Sequence, residues 1–131
     1  MNTYFLVAGI LCFVLGLGHS ILGEYLIFKE KRNKGQLIPS KTGTGLKERH
    51  LRIIWATWHL TSLFGWCIGA LLVKIAIEKN RQVTELTDFL ITSARYTMLT
   101  SSILVLVATK GKHPGWVVLL FIGLLLIIGK T

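Results

Sequence analysis

Four apolar runs divide the chain, at positions 3–28, 51–73, 89–109 and 114–129, each bounded by charged or turn-forming residues. A helix rises 1.5 Å per residue, so a run of about twenty residues matches a hydrocarbon core about 30 Å thick. The pattern therefore predicts an all-α fold, a four-helix transmembrane bundle of up-down topology, as a single membrane domain over 1–131. The polar interruptions are not scattered. In the first run Gly9, Cys12, Gly16, His19, Ser20, Gly23 and Glu24 fall on one broad helical face, and leucines and isoleucines cover the rest.

The other runs differ in character. The second carries a stripe of Arg52, Trp55, Ala56, His59, Ser62, Leu63 and Trp66, with Trp58 beside it. The third is rich in hydroxyls, among them Thr92, Ser93, Thr97, Thr100, Ser101 and Ser102. Hydroxyls bond to carbonyls of their own or a neighbouring helix, so the third helix is expected at the centre of the bundle. The fourth is nearly pure Val, Leu, Ile and Phe and is expected to face lipid. Between the runs, Pro39 and Gly43-Thr44-Gly45 predict an irregular first loop. Positions 74–88 suit a helix extension and a short interfacial turn, and Lys110-Gly111-Lys112 a tight one, leading to Pro114 in a first helical turn.

Charge sets an orientation. The first connection, 29–52, holds eight Lys and Arg, the second three and the third two. Basic loops stay inside, so loops 29–50 and 110–113 are expected to be cytoplasmic and both termini outside. The N-terminus has no basic region ahead of its apolar run, so that run reads as a retained span and not a cleaved signal.

Composition supports the membrane assignment. Hydrophobic residues make up 52% and charged residues only 16%, with a mean hydropathy of +0.60, too little polar surface to solvate a globule of this size. The net charge of +9 would point to nucleic acid in a soluble protein, but here the basic residues flank apolar runs, so lipid is the expected partner and nucleic acid is not. Cys12 and Cys67 both fall inside runs and read as small apolar residues.

Candidate chemistry centres on two imidazoles. His19 and His59 lie at one level, about 12 to 14 Å from the inner ends of their helices, and Ser101 and Ser102 share that depth. Ionisable residues within lipid are costly, so two at one level motivate a ligand-binding layer or a proton or cation relay. Glu24 has a candidate counter-charge in Arg52. Read more simply, it is an interfacial carboxylate reaching water beside the Lys and Arg cluster that follows it; alternatively it orients His19 or passes protons to it. Gly16, Ser20, Gly23, Trp55, Ser62 and Trp66 are candidate pocket walls. The glycines serve helix packing more simply than cofactor access, and Trp55 and Trp58 read as interfacial residues. Cys12 is about 10 Å along the axis from His19, too far for one site to use both His and Cys pairs, so any metal would fall to His19 and His59. His50 and His113 read as solvated. No motif of a metalloprotease, serine hydrolase, nucleotide-binding loop or thiol redox centre is present, and no nucleophile and base stand in a familiar arrangement.

Gly18-His19-Ser20-Ile21-Leu22-Gly23-Glu24, Trp58-His59-Leu60-Thr61-Ser62 and His113-Pro114-Gly115-Trp116 resemble small, uncharacterised bacterial membrane proteins with four spans. That resemblance implies the fold and a bacterial inner membrane, and no activity. The stretch from Trp58 to Gly69 is similar to a His-then-Trp helix of copper-resistance-type and cytochrome b-like membrane domains, although a second pair of axial histidines is missing. The reading placed first is a non-enzymatic, multi-pass membrane component that binds a ligand or passes protons or cations at the His19/His59 layer, as a homo-oligomer or within a larger complex. The alternatives are a redox protein with b-type haem or a metal on His19 and His59, and a purely structural subunit.

Overall fold

The computed structural model describes residues 1–41, 45–78 and 84–130. Part of the expected Gly43-Thr44-Gly45 turn and residues 79–83 of the expected helix extension lie outside them. The described residues form four α-helices and no strand: α1 (Thr3–Gly23), α2 (Glu48–Ile77), α3 (Glu85–Thr109) and α4 (Gly115–Ile128). α1 continues into a π-helical turn, Glu24–Phe28, and a single 3₁₀ turn, Lys29–Lys31. The segment Thr3–Lys31, α2 and α3 are each long and apolar enough to cross a membrane. At 14 residues α4 is only about 21 Å long, shorter than the expected fourth span and short of a hydrocarbon core.

The helices alternate in direction. One end of the bundle gathers the start of α1, the end of α2, the start of α3 and the end of α4, and it is pinned by Asn2. The Asn2 side chain caps α1 by accepting from the Tyr4 and Phe5 amides (3.1 and 3.3 Å) and donates to the Gly129 carbonyl (2.7 Å). Its own amide donates to Ala76 of α2 at 2.9 Å. Lys130 pairs with Asp88 at 2.6 Å, tying α4 to α3 at the same end. The apolar core sits there too, built from Phe5 and Ala8 of α1, Leu72 and Ala76 of α2, Ile91 of α3, and Leu125 and Leu126 of α4.

α1 lies along α2 and also against α4, α4 packs on α3, and α2 and α3 barely touch. This overturns the expected placing of the last two helices. Ile122, Gly123, Leu125 and Leu126 of α4 are buried, whereas α3 exposes Phe89, Tyr96, Ile103, Leu104 and Val107. The α3 hydroxyls mostly satisfy themselves: Thr97, Thr100 and Thr109 donate to carbonyls one turn back. Among the described residues Ser102 alone of them reaches a neighbouring helix, donating to the Trp116 carbonyl at 2.8 Å. Lys110 (φ 51°) and Gly111 (φ 74°) adopt left-handed backbone to close α3, and the Gly111 amide returns to the Leu106 carbonyl at 2.9 Å.

Candidate functional site

The α1–α2 contact is built on glycines seven residues apart. Gly9 meets Gly69 backbone to backbone: a Cβ on either would fall within 2.9 Å of the other's carbonyl oxygen. At Gly16 and Gly23 a Cβ would collide with the indoles of Trp66 and Trp58. Removing the side chain at these steps lets each ring lie on the α1 backbone and place its N–H on an acceptor, which an indole in apolar surroundings requires. Trp66 donates to the Phe13 carbonyl (3.2 Å), Trp58 to the His19 carbonyl (2.9 Å) and Trp55 to the Glu24 carboxylate (2.5 Å). Instead of pointing outward as interfacial anchors, Trp55 and Trp58 turn onto α1.

Glu24 is the first residue of the π-helical turn, in which the Lys29 amide reaches back five residues to the Glu24 carbonyl. The wider turn carries one residue more than an α-helix needs, and such insertions recur at functional sites. Phe28 is fully buried against the Trp58 and His59 rings, and the chain then doubles back. Arg32 thereby reaches Glu24, forming an ion pair with Oε2, while its Nε donates to the Leu37 carbonyl at 2.6 Å. The counter-charge expected in Arg52 is thus supplied by Arg32. Arg52 pairs with Glu48, one turn back on α2, at 2.7 Å, where both side chains are half exposed.

The other Glu24 oxygen, Oε1, lies 2.8 Å from His59 Nε2. His59 Nδ1 lies 3.1 Å from Ser20 Oγ, which donates to Ser62 Oγ at 2.9 Å. Trp55 packs edge-on to the imidazole, 4.9 Å between centroids. Glu24, His59, Ser20 and Ser62 thus form one unbroken hydrogen-bonded chain across the α1–α2 contact. A groove of about 400 Å³ beside Glu24, Ser20, Arg32 and His59 marks one end. The other end, Ser62, borders a separate cleft of about 440 Å³ between α2 and α3.

His19 belongs to that cleft. Its ring stacks on Trp58 at 4.3 Å and 6° and lines the cavity together with Gly16, Ser101 and His113. The expected layer is therefore divided, His59 at the groove and His19 at the cleft, with Ser102 turned to α4 and Trp66 to α1. Both ring nitrogens of His59 are engaged, so joining His19 as an axial haem ligand would break its bond to Glu24 or its bond to Ser20. Among the described residues no three or more His, Cys, Asp or Glu are grouped to hold a metal ion.

Three participants escaped the sequence reading: the π-helical turn, Arg32 and the cleft-lining His113. The π-helical turn has no Gly or Pro after Gly23 to announce it, and the sequence does not single Arg32 out from the Lys and Arg cluster expected beside Glu24. His113 left a clue in His113-Pro114-Gly115, since its Nδ1 accepts the Gly115 amide at 3.0 Å and a Cβ at position 115 would crowd the ring. Compared with protein-family models, curated proteins and solved structures, the chain matches none of them.

Proposed function

We propose that this chain is a small, non-enzymatic, multi-pass protein of a bacterial inner membrane that passes protons along Glu24, His59, Ser20 and Ser62. Its basic loops 29–50 and 110–113 lie in the cytoplasm and both termini outside, in line with the excess of Lys and Arg at that end. The observation that carries the reading is the continuous hydrogen-bonded chain from groove to cleft. Imidazole is suited to such a relay because it takes a proton on one nitrogen and releases another from the second. A proton arriving from Glu24 binds Nε2, the Nδ1 proton passes to Ser20, and the Ser20 proton moves to Ser62, which releases its own into the cleft. Arg32 and Trp55 hold the carboxylate in place. As a homo-oligomer or beside a larger complex, the protein would deliver those protons to a partner at the cleft side.

The test is proton flux into vesicles holding the purified protein and a trapped pH-sensitive dye, driven by a potassium diffusion potential. Wild type is expected to acidify the lumen well above empty vesicles, with His59→Phe and Ser20→Ala each at least tenfold slower and His19→Phe close to wild type. Wild-type flux equal to that of empty vesicles, or unimpaired flux in folded His59→Phe, overturns the reading. The indole-to-backbone bonds favour one other reading, a purely structural subunit. That reading expects no flux from wild type and lowered stability from His19→Ala and His59→Ala.

A further inference from the structure

We infer that the cleft between α2 and α3 binds a membrane-soluble molecule with a flat, hydrogen-bonding head and an apolar tail, the chemistry of an isoprenoid quinone. The inference stands apart from the proton path, which the cleft meets at Ser62. At about 440 Å³ the cavity is in the ordinary range for small-molecule sites, which are mostly apolar with a few placed polar groups. Its lining is graded along the bundle axis. His19, Thr109 and His113 lie at the end shared by the close of α1 and the start of α4, and Cys12, Ile68 and Met98 line the deeper part.

The head end offers directed chemistry. His19 presents a flat ring backed by the parallel Trp58 indole, and neither of its ring nitrogens bonds to another described residue. His113 accepts the Gly115 amide at Nδ1, which leaves Nε2 as its N–H donor. A ring carbonyl is matched by that donor and by His19, and its flat face by the stacked pair. A phospholipid headgroup fits less well, because no Lys or Arg among the described residues lines the cleft to meet a phosphate.

The experiment is titration of the detergent-purified full chain with decylubiquinone, read by quenching of tryptophan fluorescence, in parallel with 1-decanol as a tail-only competitor. Saturable quenching that decanol does not displace at equal concentration is expected. Ser101→Phe, which fills the cavity, should weaken binding at least tenfold. His113→Ala, on an exposed turn, should weaken it several-fold, with circular dichroism checking that α4 keeps its helix once the Gly115 amide loses its acceptor. Quenching without saturation, equal displacement by decanol, or wild-type affinity in His113→Ala overturns the proposal. So does a Soret band on adding haem together with loss of the quinone signal, which would assign the His19 and His113 cleft to haem.

Discussion

The Glu24 carboxylate serves three partners, Arg32, Trp55 and His59, with two oxygens, and its neighbours are not equivalent. Arg32 and Glu24 are about a quarter to a third exposed, whereas Arg52 and Glu48 are half exposed on one helix face. Exposed i,i+4 pairs contribute about 0.3–0.5 kcal/mol, while stranding a partly buried carboxylate costs about 1–3 kcal/mol. Arg32→Ala is therefore expected to lower stability in a denaturant titration by clearly more than Arg52→Ala, and a double-mutant cycle with Glu24→Gln should assign the coupling to Arg32. Equal losses would mean that the two cations act alike. Residue types were legible at this scale, since His59, Glu24, Ser20 and Ser62 stand out from an apolar background. Which cation served Glu24 was not, because depth along a straight helix does not foresee a chain that leaves it by a widened turn.

Among the elements, α1 and α2 fit through absent side chains. Gly16 and Gly23 lie under indoles, whereas a Cβ at Gly18 would meet nothing within 4 Å. Gly18→Ala is expected to stabilise by up to about 1 kcal/mol through helix propensity. Gly16→Ala, with the same propensity gain, should lose about 1–3 kcal/mol net by displacing Trp66. Unfolding followed by tryptophan fluorescence separates them, and matching effects would contradict the contact. Helix positions were readable from hydropathy alone, and α2 and α3 overran their predicted starts by a few polar residues, Glu48 and Glu85 being helical. The exchange of roles between α3 and α4 was not readable. Where lipid is the solvent, a pure leucine and isoleucine helix gains nothing by facing outward, so apolarity does not tell an interior helix from a peripheral one.

At the scale of the molecule, Asn2 joins three helices at the end where the core is packed. Asn2→Ala removes a cap worth about 1 kcal/mol and frees the Gly129 carbonyl. Faster hydrogen exchange at the Tyr4 and Phe5 amides is expected, with the Ser20–Ser62 end unaffected; uniform acceleration along α1 would show that the junction supports the whole helix instead. The opposite end carries the cleft lined by His19, Thr109 and His113. Along the bundle the α1–α2 and α3–α4 pairs meet mainly at the α1–α4 seam, and α2 and α3 barely touch. In the proposed membrane setting, parting α2 from α3 would break few contacts and open the cleft toward the acyl chains. A molecule dissolved in the bilayer would then enter sideways, without ever crossing the aqueous phase.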